Sequence, residues 1–172
     1  MRKVTIAGGL VYKSPAEKPP KSVNSLYQVY EMKEELSSEQ YDGMYQTLYE
    51  VELWDSLNWE QRRIFCPIID YDSVSCTSTM IYVEPLMDEA TAKTISDEES
   101  FKVMTDILLR RGARLWEICL FIKALKKICK ETDLVEEDIL NNLSNIGYSK
   151  ELGIRVLDYG LSQKLLEEQN NV

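Results

Sequence analysis

Histidine is absent from all 172 residues. That removes the commonest general base, the Ser-His and Cys-His nucleophile pairs and most zinc sites in one step. Cysteine is sparse, and Cys66, Cys76, Cys119 and Cys129 form no Cys-x-x-Cys pair. A disulfide framework is therefore not indicated, and a reducing, cytoplasmic setting is expected. Long apolar runs are missing as well. The longest block, Ile118 to Ile122, is far too short to span a bilayer, and no apolar run of signal-peptide length follows the initial Met-Arg-Lys. Ala7-Gly8-Gly9 is no phosphate loop, because the further glycines and the Lys-Ser/Thr of that motif are lacking. These absences point to a soluble protein that is not an enzyme and uses no cofactor and no metal.

What is present suits one domain with tails, since 44% hydrophobic content supports a sizeable core. Residues 1–22 read as an N-terminal arm or linker: two β-prone runs flank Gly8-Gly9 with hairpin chemistry, and SPAEKPPKS follows as a spacer that cannot be a helix interior. Residues 23–172 read as a helical domain. Leu26, Val29, Tyr30, Met32 and Leu36 form one apolar face, and Ser37-Ser38-Glu39-Gln40 is a capping box opening a second helix toward Glu50. A short helix runs through Arg62 and Arg63 before Pro67. Residues 64 to 84 are dense in Ile, Val, Tyr and Thr, which predicts a short β-hairpin or an irregular insert over about 64–95. Ser96-Asp97-Glu98-Glu99 starts a helix that Gly112 stops.

Arg114 to Lys130 then forms a helix that is apolar almost all round, with eight apolar residues in the ten from Leu115 to Ala124. Such a helix belongs in the centre of a bundle. Thr132-Asp133 caps a further helix through Leu140, and Ser149 opens a last one striped by Leu152, Val156, Leu157, Leu161 and Leu165. The expected fold class is mainly α: a compact bundle of about six helices with a short β-hairpin or irregular insert and a basic N-terminal arm.

Charge is segregated along the chain. Residues 23 to 55 sum to −7 and residues 101 to 130 to +6, within a total of −9. Opposed faces of this kind can simply solvate the fold or can set docking specificity toward another copy or a relative.

SLYQVYEMKEELSSEQYDGMYQTLYE (25 to 50) resembles the opening of death-effector domains, and SFKVMTDILLRRG (100 to 112) with LWEICLFIKALKKICKETDLVEE (115 to 137) resembles their fourth to sixth helices. Caspase-recruitment domains share that six-helix fold. The resemblance implies an adaptor or inhibitor acting by homotypic association in cell-death or innate-immune signalling. The family's surface triad would take its acid from Glu35, while Asp133-Leu134 match the end of its Arg-x-Asp-Leu motif and Glu131 stands where that motif has Arg. Glu34, Glu35, Arg110, Arg111, Lys126, Lys127, Lys130 and Asp133 would be the partner-binding residues. The partner would be another protein, a copy of itself or a related helical domain.

Other classes compete with this reading. The basic helix pair 101–130 could track nucleic acid or a membrane surface, though the net charge opposes approach to polyanions. A small pathogen-encoded helical antagonist or structural protein is a further alternative, with LWDSLNWEQRRIF (53 to 65) as a groove segment. Trp54, Trp59 and Trp116 are expected in core or rim packing.

Overall fold

Gly8 and Gly9 adopt φ of 59° and 78°, the left-handed pair that lets a two-residue turn match the twist of its flanking strands. In the computed structural model, which describes residues 2–170, this turn joins β1 (Arg2–Ala7) to β2 (Leu10–Pro15), paired from Ala7↔Leu10 to Arg2↔Pro15. A second hairpin of β3 (Ile68–Asp72) and β4 (Thr77–Ile81) adds to β2 through β4, so an antiparallel sheet runs β1-β2-β4-β3. β1 lies at its edge, with Val4 and Ile6 exposed.

The chain divides into two units. The first comprises Met1–Asn58, Pro67–Tyr82 and Leu165–Val172; the second comprises Trp59–Cys66 and Val83–Lys164.

In the first unit α1 (Leu26–Glu31) begins at Ser25, whose hydroxyl accepts from Gln28 N. α2 (Ser38–Ser56) opens with the reciprocal bonds of a capping box: Gln40 N donates to Ser37 Oγ, and Ser37 N donates to Gln40 Oε1, both at 3.2 Å. Tyr41, Tyr45 and Tyr49 recur every fourth residue, fall on one helix face and are buried. Tyr45 stacks on Tyr49 with ring centroids 6.2 Å apart, and Tyr30 from α1 meets Tyr45 edge-on at 5.6 Å.

α2 packs on β1 and β2, and Glu50 lies at that junction with no exposed surface. Arg2 Nη1 reaches its Oε2 at 2.6 Å and Lys13 Nζ its Oε1 at 2.7 Å. A carboxylate removed from water costs several kcal/mol unless charge and hydrogen bonds replace its hydration. Here both oxygens are met by cations, and Arg2 Nη2 also donates to Oε1 at 3.5 Å.

The second unit holds α3 (Trp59–Arg62), α4 (Glu89–Ala92), α5 (Asp97–Arg111), α6 (Leu115–Glu131), α7 (Glu136–Leu140) and the hairpin of β5 (Ile146–Ser149) and β6 (Gly153–Val156). α8 (Gln163–Asn170) starts at its end and continues into the first unit. Gly112, at φ 101°, stops α5 in the left-handed conformation while Ala113 N bonds Leu108 O at 3.0 Å. The β5–β6 hairpin is held along both edges. Val156 N and Cys66 N exchange bonds with Ile64 O and Val156 O on one side, and Leu86 N donates to Ile146 O on the other. Under it, Phe65 and Tyr159 meet edge to face at 4.9 Å.

Two sheets overturn the expectation of a mainly helical six-helix bundle. Residues 2–15 are not a basic arm but supply two strands, one of them interior to the sheet. Residues 68–81 are likewise sheet members and not an insert in a bundle. The stretch from Ser149 turns back as β6 and does not open a helix. A helix there would bury Gly153 mid-turn at a cost of about 1 kcal/mol; the chain instead uses its positive φ of 77° in the hairpin turn. The death-effector likeness falls with the bundle, because that fold is purely helical. Homotypic death-fold association, and the adaptor and immune-signalling roles drawn from it, fall with it. Among the described residues, no helix is long and apolar enough to cross a membrane.

α6 also departs from its expected place at a bundle centre. Ile118, Phe121, Leu125 and Ile128 are buried, yet Leu115 is 61%, Trp116 54% and Leu120 56% exposed. Trp59 is exposed too, so core or rim packing does not describe these two tryptophans.

Truncating Glu50 to Ala would leave the Arg2 and Lys13 cations buried without their anion. We expect Glu50→Ala to cost about 3–5 kcal/mol in urea denaturation, against less than about 0.5 kcal/mol for the exposed Glu39→Ala. Gly147 has no room for a side chain: a Cβ there would lie 2.8 Å from Glu84 O and 2.9 Å from Val83 Cγ1. Gly147→Ala should therefore lose about 1–3 kcal/mol by the same measurement.

Candidate functional site

The open end of the β5–β6 hairpin gathers the polar residues of the second unit. Leu157 N donates to Asn145 O at 2.7 Å, which closes the hairpin and sets Asp158 one residue beyond, next to Asn145. The Asn145 amide donates from Nδ2 to Asp138 O at 3.0 Å and to Asp138 Oδ2 at 3.4 Å. That orientation points Oδ1, an acceptor, away from Asp138. Asp158 Oδ1 accepts from Gly160 N at 3.2 Å, a tight local turn.

The following residue, Tyr159, is fully buried, and its hydroxyl donates to Cys66 O at 2.9 Å. A buried anchor on one side and a hairpin on the other fix the backbone that carries Asp158. Beyond it, Leu134 bridges Ser162, Gln163 N donates to Asp133 O at 2.7 Å and Lys164 N to Asp133 Oδ2 at 3.3 Å. Asp133 thus lies against the chain a few residues after Asp158.

Carboxylate and amide oxygens are hard ligands suited to Mg²⁺. Among the described residues no group of three or more His, Cys, Asp or Glu could hold a metal ion. Asn145 Oδ1 and the Asp158 carboxylate are of this ligand type, and protein-bound Mg²⁺ usually takes further ligands from phosphate and water.

In the first unit the candidate group is Lys13. Its ammonium is held by Glu50 at 2.7 Å on an interior strand. A lysine fixed in this way is a point charge with a defined position, and here it is only 4% exposed.

The expected partner-binding residues are dispersed. Glu34 and Glu35 form an exposed 3-10 turn in the first unit. Arg110 is exposed at the end of α5, whereas the Arg111 guanidinium donates to Pro85 O at 2.9 Å and Leu86 O at 3.1 Å and so fixes a loop. Lys126 pairs with Glu136 at 3.7 Å and Lys127 with Glu131 at 3.8 Å. Lys130 is exposed. Asp133 holds the start of α8 through Gln163 N and Lys164 N. The sequence reading missed Asp138, Asn145 and Asp158. Asp158-Tyr159-Gly160 directly after the β-prone run Ile154–Leu157 was the signal available for them.

Compared with known proteins, the chain matches no family model and no curated sequence.

The cysteines provide a check on this geometry. Cys66 and Cys76 are buried, Cys129 is half-buried and Cys119 is exposed. Burial pushes the Cys76 thiol up to about 11, and burial with Glu136 and Glu137 pushes that of Cys129 up to about 12. Both stay protonated at pH 8, and a protonated thiol is a poor nucleophile. Iodoacetamide at pH 8 should label Cys119 in the folded protein and the other three after denaturation, as read by peptide mass spectrometry.

Proposed function

We propose that the protein binds the phosphates of a nucleotide together with Mg²⁺, and that it acts as a nucleotide-binding protein that engages another protein and catalyses no reaction of its own. The observation that carries this reading is the buried Lys13–Glu50 pair, a strand lysine held by a glutamate of the helix lying on its sheet. In protein kinases that pairing of strand lysine and helix glutamate positions the lysine on the nucleotide phosphates.

The second unit supports the same reading in chain order. Asp133-Leu134 corresponds to the Asp-Leu of the kinase catalytic loop, Asn145 to the asparagine that precedes a hairpin, and Asp158-Tyr159-Gly160 to Asp-Phe-Gly after it. In that template the asparagine and the second aspartate are the Mg²⁺ ligands. When bound, the ion neutralises phosphate charge. Asn145 and Asp158 of the second unit would hold it.

Departures from the template weigh against turnover. Glu131-Thr132 precede Asp133 where His-Arg is usual, the spacing from Asp133 to Asn145 is longer, and no Gly-x-Gly-x-x-Gly occurs. The placing of the role at binding rests on these. Four free thiols suit the cytoplasmic setting expected from the sequence.

Thermal unfolding with a non-hydrolysable ATP analogue tests the proposal. At about a hundred times Kd the ligand adds about 2.7 kcal/mol, so Tm should rise by roughly 5–10 °C with Mg²⁺ and much less with EDTA. Asp158→Asn and Asn145→Leu should remove the Mg²⁺-dependent part, and Lys13→Met tests the first unit's phosphate contact by itself. No Mg²⁺-dependent shift at millimolar analogue would reject nucleotide binding. Release of labelled phosphate from ATP above that of Asp133→Asn would reject its non-catalytic character.

A further inference from the structure

The solvent face of α6 changes chemistry halfway along. Leu115, Trp116, Cys119 and Leu120 are exposed over the first two turns, and Lys123, Lys126, Lys127 and Lys130 over the next two. Between this face and α5 runs an open groove of ≈ 660 Å³, floored by Phe101, Thr105, Leu115, Ile118, Cys119 and Ile122 and ended by the four lysines. Phe101, from α5, is itself 58% exposed.

Leaving several large apolar side chains in water forgoes about 25 cal/mol for every Å² that a partner could cover. Contiguous exposure of this kind marks an interaction surface. The lysines define what fits. Lys126 pairs with Glu136 at 3.7 Å and Lys127 with Glu131 at 3.8 Å, weak exposed pairs. Lys123 and Lys130 have no carboxylate within salt-bridge reach among the described residues. The groove end is therefore undercompensated positive charge next to an apolar floor.

We infer that this groove docks an acidic amphipathic helix of a partner protein, its apolar stripe on Phe101, Leu115 and Cys119 and its carboxylates on Lys123 and Lys130. Helix-in-groove recognition uses this combination of a linear apolar stripe and flanking charge. A second copy of the chain is a poor occupant, because the tyrosine face of its acidic helix α2 is already buried, with Tyr30 of α1 against Tyr41 and Tyr45. An anionic membrane is poor too. The net charge of −9 opposes approach, and α6 packs Ile118, Phe121, Leu125 and Ile128 inward along its whole length.

The test uses a fluorescein-labelled helical peptide of about 18 residues, with leucine along one stripe and glutamate beside it, and a partner peptide with lysine for glutamate. Anisotropy should show the acidic peptide binding the full chain at least about tenfold more tightly than the basic one. Leu115→Asp with Phe101→Asp should abolish binding. Lys123→Glu with Lys130→Glu should reverse the preference between the two peptides. All four side chains are exposed, so circular dichroism should be unchanged in both variants. Equal affinity for the two peptides, or none, would overturn the inference. So would salt-insensitive binding, co-sedimentation with phosphatidylserine-rich vesicles that the same variants abolish, or self-association that depends on the same residues. Nucleotide binding is measured separately by the Mg²⁺-dependent Tm rise, so either conclusion can fail without the other.

Discussion

One buried carboxylate organises the first unit. Glu50 has lost all contact with solvent on a helix that must otherwise bury tyrosine and leucine, and an ion so placed persists only where its hydration is fully replaced. The replacement comes from both strands of the hairpin, with Arg2 on β1 and Lys13 on β2. Sheet register, helix position and lysine orientation are therefore one problem with one solution. A slip of the hairpin by a single residue would turn Lys13 to the opposite face and strand the carboxylate. The same constraint fixes the position of the Lys13 ammonium, the feature on which the proposed phosphate contact rests.

The second unit is braced chiefly by backbone hydrogen bonds. Its short hairpin is bonded along both edges, and Gly147 lets Glu84 and Val83 approach closely enough to complete that ribbon. Tyr159, buried against Phe65, then anchors the chain just after Asp158. The polar residues at the hairpin mouth thus stand on backbone held from several directions, whereas the groove along α6 is a side-chain surface on one regular helix. The first is suited to geometric demands, the second to a partner that adapts its own side chains.

Local signals were legible in the sequence where a short motif decides the backbone. The Ser37–Gln40 capping box, the Gly112 stop and the Gly8-Gly9 turn all stand where their chemistry places them. Strand pairing was not, because β2 finds β4 more than sixty residues away, and nothing local distinguishes a hairpin that joins a sheet from one that hangs free. α6 misled for a related reason. Apolar residues all round a helix predict burial, but they do not say whether the chain holds enough neighbours to supply it. At the candidate site Asp133 was singled out for a different role, and Asn145 and Asp158 passed unnoticed, since their proximity depends on folding β5 against β6. The segment taken for a terminal helix held the one feature that brings them together.

β1 closes the sheet with its outer backbone edge uncovered and Val4 and Ile6 on show, a configuration that invites strand-to-strand stacking between molecules. Arg2 is committed to Glu50, so Lys3 is the cation on that strand left to repel a like neighbour. Acetylation of that lysine would leave the margin without its local gatekeeper against strand pairing, whatever the chain's net charge.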